Sequence, residues 1–127
     1  MTPAEERAAF SRGLRQFNTR EFWHAHESWE AVWLIASEPD KTFLQGIIQI
    51  AAAFYHHQKK NPEGMRSLMR RGLAKLEGFS AGYRGVRLEQ LRCAVREWLA
   101  ADARGEALPR RYPALRREKQ MRARGSA

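Results

Sequence analysis

Phe22-Trp23-His24-Ala25-His26-Glu27-Ser28-Trp29-Glu30-Ala31-Val32-Trp33 packs three tryptophans and a phenylalanine into twelve residues, with His26 and two glutamates among them. Burying that much aromatic surface is worth roughly 1.5–3 kcal/mol per large apolar side chain. An ionisable group inside such a stretch must be paired, neutralised or functional. On a helical wheel, Val32, Ala25, Trp29, Phe22 and Trp33 fall on one arc. His26 and Glu30 lie one turn apart beside Trp33, and Trp23 and Leu34 close the arc beyond them. Glu27 falls at its edge, while His24 and Ser28 point the opposite way, towards solvent. The stretch therefore reads as an amphipathic helix carrying a bracketed His/Glu pair.

Its complement comes next in the chain. Phe43, Ile47, Ile50 and Phe54 form one apolar ridge, with Leu44, Ile48, Ala51 and Tyr55 beside it. A helix apolar over so much of its circumference belongs at the centre of a bundle. Its remaining face carries Gln45, Gln49, Ala52 and His56, flanked by the small residues Gly46 and Ala53 that permit close helix approach.

Punctuation divides the rest. Thr2-Pro3-Ala4-Glu5 combines a cap, a proline at the first helical position and an acid at the third, which predicts a helix to about Phe17. Asn18-Thr19-Arg20-Glu21 starts the aromatic helix, which should run to about Ala36. Ser37-Glu38-Pro39-Asp40 breaks it, with Asp40 capping a third helix over about residues 41–60. Asn61-Pro62-Glu63-Gly64 opens a fourth helix to about Glu77, and the glycines at 78, 82 and 85 mark a loop. A fifth helix spans about residues 88–103. No segment alternates with period two. The fold class is all-α, a compact bundle of about five helices, with residues 1–105 as a single domain and residues 106–127 as a flexible basic tail.

At 127 residues and 29% charged, the chain has the composition of a soluble globular domain, and no apolar run approaches the roughly 20 residues of a membrane span. Its N-terminus lacks the pattern of a secretion signal, and the lone Cys93 forms no intrachain disulfide, so a cytoplasmic location is expected. Cys93, between Leu91 and Val95, reads as a small core hydrophobe. The net charge of +9 sits largely in the stretch from Arg104 onward, where eight Lys or Arg face two Asp or Glu. Such a tail offers non-specific nucleic-acid binding through phosphates. His57, off the polar stripe, is discounted as helix-end chemistry.

Imidazole and carboxylate at i, i+4 suit a divalent metal, for which His26, Glu30 and His56 are the candidate ligands. However, Glu30 stands where a zinc protease helix would need its second histidine, and the Glu-x-x-His pairs of di-iron bundles are absent. Acid–base chemistry would draw on His26, Glu27, Glu30 and His56. The plainer reading is a buried hydrogen-bond network in which Gln49 and His56 satisfy Glu30 and His26.

Asn18, Phe22, His26-Glu27, Glu30 and Trp33, followed by Gln45-Gly46-Ile47-Ile48-Gln49, Ala52-Ala53 and His56, resemble the prokaryotic family called domain of unknown function 309. The Arg66-x-x-x-x-Arg71 helix and its Leu76-Glu77-Gly78 ending look like the same family, over about residues 5–103. Two positions depart from its pattern: His24 is often acidic there, and Arg87 replaces a helix-capping aspartate. The resemblance implies a compact helical fold and a cytoplasmic protein and supplies no activity. The expectation is a non-catalytic interaction or structural domain with a buried cluster of His26, Glu30, Asn18, Gln45, Gln49 and His56. The alternatives are a small acid–base or metal-dependent enzyme using that cluster and a tail-driven nucleic-acid binder. Wide apolar arcs on two helices favour a homodimer.

Overall fold

Among the described residues there are five α-helices, α1 (Pro3–Asn18), α2 (Phe22–Trp33), α3 (Asp40–Gln58), α4 (Pro62–Leu76) and α5 (Leu88–Ala103), with a 3-10 turn at Tyr83–Gly85 before the last. The computed structural model describes residues 1–119. The α1 capping box closes as its sequence predicts, Thr2 Oγ1 accepting from the Glu5 N–H at 3.1 Å and the Glu5 carboxylate from the Thr2 N–H at 2.7 Å. Asn61 caps α4 by accepting the Gly64 N–H at 3.1 Å. At α3 the expected cap is displaced. Asp40 turns away to Tyr83 and Arg84, and the Glu38 carboxylate accepts the Thr42 N–H at 2.9 Å in its place. Arg87 provides no side-chain cap for α5; the Ala81 carbonyl instead accepts the Leu88 and Glu89 N–H groups at 2.9 and 3.2 Å.

The central helix is α3, packed between α2 and α4. Phe43, Leu44, Ile47, Ile50, Ala51 and Phe54 are buried along it. Its approach to α4 depends on facing glycines: a Cβ on Gly72 would stand 2.8 Å from the Gly46 carbonyl oxygen, and one on Gly46 would stand 2.7 Å from the Leu76 side chain. Across the bundle, α1 meets α2 at Gly13. A Cβ there would fall 2.1 Å from Trp29 Nε1, so the indole lies directly on the backbone of α1 and donates to the Phe10 carbonyl at 3.2 Å. Among the described residues, no helix is long and apolar enough to cross a membrane.

Two expectations are corrected. Cys93 is exposed, its Sγ 3.5 Å from the Glu89 carboxylate, because Leu88, Leu91, Arg92, Val95 and Trp98 take the inward arc of α5. Arg92 is the buried polar group there, and its guanidinium donates to the Leu76 and Phe79 carbonyls at 2.6 and 2.7 Å, satisfying the C-terminal end of α4.

The second concerns the tail. Residues 108–118 form a strap that runs back along α5: Tyr112 stacks on Trp98 with an interplanar angle of 10°, and the Arg87 N–H donates to the Arg116 carbonyl at 2.8 Å. Tyr112 also meets Phe22, Phe54 and His57 edge-on, and Leu115 is fully buried. Apolar anchors inside a basic segment hold it down, a pattern that its overall charge conceals. Residues 120–127 lie outside the described residues.

Candidate functional site

The rotation of α2 about its axis decides which of its side chains are available. Phe22, Ala25, Trp29 and Val32 point inward as the wheel requires, and Ser28 joins them. Ser28 Oγ donates to Gln16 Oε1 at 2.7 Å and accepts from Arg12 Nε at 3.1 Å, which draws this edge of α2 onto α1. The expectation of a solvent-facing Ser28 is thereby overturned. The opposite edge rolls outward. Trp23 is 44% and Leu34 65% exposed, and Ile35 just past the helix is 52% exposed. Glu27 and Glu30 are both at the surface, with Glu27 3.6 Å from the imidazole of exposed His24.

Two aromatic contacts pin α2 antiparallel to α3. At one end Trp23 stacks on His26 with ring centroids 4.6 Å apart and meets Tyr55 at 5.0 Å. At the other, Lys41 Nζ lies 4.3 Å from the Trp33 ring centroid and donates to the Trp33 carbonyl at 3.1 Å. His26 and Glu30 on α2, and Gln45 and Ala52 on α3, fall between these pins. Among the described residues, no hydrogen bond joins His26, Glu30, Gln45, Gln49 and His56 to one another. The expected pairing of Gln49 and His56 with Glu30 and His26 does not form, because Glu30 lies at the surface and His56 pairs with Asn61 instead. The buried atoms His26 Nδ1, Trp33 Nε1 and Gln49 Oε1 find no hydrogen-bond partner within the described chain.

The remaining candidates serve elsewhere. His56 Nδ1 accepts from the Asn61 side-chain amide at 3.1 Å at the turn into α4. Asn18 clamps the strap: its amide donates to the Leu115 carbonyl at 3.1 Å and its carbonyl accepts the Leu115 N–H at 2.7 Å. Among the described residues, no three of His, Cys, Asp or Glu gather in a metal-binding group, so His26, Glu30 and His56 do not make one.

Burial, followed by its hydrogen bond to Asp40, pushes the Tyr83 phenol up to about 12. The Arg66 guanidinium, hydrogen-bonded at 2.5 and 3.1 Å, holds the Asp102 carboxyl below its ordinary value and ties α4 to α5. Sequence reasoning missed His57, whose Nδ1 is hydrogen-bonded to the Tyr112 hydroxyl at 2.6 Å and whose ring meets Trp98 edge-on. The signal for it was Tyr112 itself, an aromatic residue within an otherwise basic tail.

The motif residues on α2 and α3 lie within one matched segment, residues 10–68. The match is to DUF309, a domain of unknown function. DUF309 thus covers most of α1, all of α2 and α3 and the start of α4, including Asn18, His26, Glu30, Gln45, Gln49 and His56. It stops short of α5 and the strap, so the match is narrower than the resemblance read over residues 5–103. An uncharacterised protein of Aquifex aeolicus is 28% identical over 97 residues, which cover 76% of this chain and 29% of that protein. The uncharacterised protein YpuF of Bacillus subtilis is 34% identical over 62 residues, covering 46% of this chain and 34% of YpuF. The chain therefore spans about a third of the length of the curated relatives it matches.

Proposed function

We propose that the chain is a non-catalytic helical interaction module that pairs with a second copy of itself through the exposed end of α2. The observation that carries this reading is the adjacent pair Leu34 and Ile35, 65% and 52% exposed, with Trp23 exposed farther along the same helix. Single exposed apolar residues are ordinary, but two large ones side by side favour a contact surface. Charge selects the contact within that surface. Two copies crossing at the middle of α2 would bring Glu27 and Glu30 of each together, so the crossing centres on Leu34 and Ile35. The surface positions of Glu27 and Glu30 also favour this reading over acid–base catalysis, which needs a group in an enclosed and perturbing environment.

The magnitude sets the concentration. Removing the exposed parts of Leu34 and Ile35 from water on both copies gains about 4–8 kcal/mol. Association costs about 4–15 kcal/mol, so the most favourable balance, about 4 kcal/mol, places pairing through these residues in the millimolar range. Sedimentation equilibrium at concentrations on the order of 1 mM should raise the average mass above 14.7 kDa towards twice that value, and Leu34→Asp should return it to 14.7 kDa. A parent chain that stays at 14.7 kDa refutes the proposal.

A further inference from the structure

A second surface is built on a different principle. Between α1, the 3-10 turn and the strap lies a cleft of about 300 Å³ lined by Arg7, Phe10, Ser11, Arg84 and Arg117. Three arginines and a serine line it together with Phe10, whose ring centroid lies 4.5 Å from Arg84 Cζ and 5.8 Å from Arg117 Cζ.

We propose that this cleft binds a phosphate group. Arg84 is its fixed element. Its Nη1 donates to Asp40 at 3.1 Å and its Nη2 to Glu6 at 3.3 Å, and its backbone stands at φ 55°, a conformation that a non-glycine residue holds only when its surroundings enforce it. Those two carboxylates hold Arg84 in place and offset part of the local charge, so the cleft with its three arginines keeps a single net positive charge. A phosphodiester carries the matching charge. Arg117 Nη2 donates to Ser11 Oγ at 2.6 Å, which leaves the Ser11 hydrogen and the other guanidinium N–H groups of Arg117 to donate to phosphate oxygens. Arg7 is exposed on the α1 rim and forms no ion pair among the described residues. Planar guanidinium forks suit the oxygens of a phosphate, and arginines from three separate chain segments line this one cleft. The basic character that composition assigns to a tail is, at Arg117, anchored to the body of the protein.

Free inorganic phosphate and the backbone of a nucleic acid present the same oxygens, and two titrations distinguish them. Thermal denaturation is followed against inorganic phosphate at constant ionic strength, and fluorescence anisotropy against a labelled single-stranded oligonucleotide of mixed sequence. The parent is compared with Arg7→Ala/Arg117→Ala and with Arg110→Ala/Arg111→Ala, which removes the same charge from exposed positions elsewhere on the strap. The expected result is a phosphate-dependent rise in Tm that chloride does not reproduce. The cleft variant should weaken binding about tenfold or more, as loss of charge-assisted hydrogen bonds requires, and the control variant less than twofold. Weakening of both ligands by the cleft variant assigns the phosphate to a nucleic-acid strand; weakening of inorganic phosphate alone assigns it to the free ion. Equal loss in the two double variants, or a parent indifferent to phosphate and oligonucleotide alike, overturns the proposal.

Discussion

Replacing Asn18 by alanine removes the two hydrogen bonds, at 2.7 and 3.1 Å, by which one side-chain amide holds both backbone groups of Leu115. Each is worth about 0.5–1.5 kcal/mol net, and the part-buried N–H and carbonyl left behind push the loss towards the upper end of that range. The sum is a destabilisation of about 1–3 kcal/mol. Full release of the strap would add the burial of Leu115, which is 0% exposed and worth about 1.5–3 kcal/mol. The strap should therefore loosen before the bundle unfolds, since Tyr112 and Leu115 are its main apolar anchors. Urea denaturation gives the total, and native-state trypsin cleavage at Arg116 and Arg117 reports the loosening. Asn18→Asp sharpens the test, because a carboxylate still accepts the Leu115 N–H but cannot donate to its carbonyl, and it should recover no more than half of the loss. An Asn18→Ala protein within about 0.5 kcal/mol of the parent, with strap cleavage at the parental rate, would refute the clamp.

Gly13→Ala sets two effects against each other. Helix propensity favours alanine by about 1 kcal/mol, but the new Cβ would meet Trp29 Nε1 at 2.1 Å and disturb its bond to Phe10, so a net loss of about 1–3 kcal/mol in chemical denaturation is expected and a gain would contradict the crossing. Glu30→Gln and Glu30→Ala should both stay within about 0.5 kcal/mol of the parent, since the carboxylate is at the surface; a loss several times larger on thermal denaturation would place it inside after all. Asp102 has a folded-state pKa below its unfolded value, so its contribution is present at neutral pH and fades as pH falls through that lowered value; Asp102→Asn should flatten this part of an acid denaturation series, and an unchanged profile would show that the Arg66 bond carries no pH dependence.

The helices were legible because their signals are local. Thr2, Asn61, Pro39 and the apolar ridge of α3 each act within a few residues, and the bounds they imply differ from those observed by a few positions at most. The rotation of α2 was harder to read. The wheel ranks arcs by hydropathy, and the arc holding Trp23 and Leu34 looked as apolar as the one holding Ala25 and Val32. What decides between them is the bond network of Ser28 with Gln16 and Arg12, between residues on two helices. The strap escaped for a related reason. Tyr112 and Leu115 are a small apolar minority among arginines, and their partners Asn18, Phe22, Phe54 and Trp98 lie distant in sequence. The basic cleft combines Arg7, Arg84 and Arg117, and only the folded chain brings those three together.

The central claim is that two copies meet at the exit of α2, and a cysteine placed there tests it directly. In a Cys93→Ser background, Ile35→Cys should oxidise to a covalent dimer of twice 14.7 kDa under non-reducing conditions, while Glu27→Cys, in the acidic middle of the helix, should remain a monomer. An Ile35→Cys chain that stays at 14.7 kDa, or one that cross-links no faster than Glu27→Cys, would contradict it.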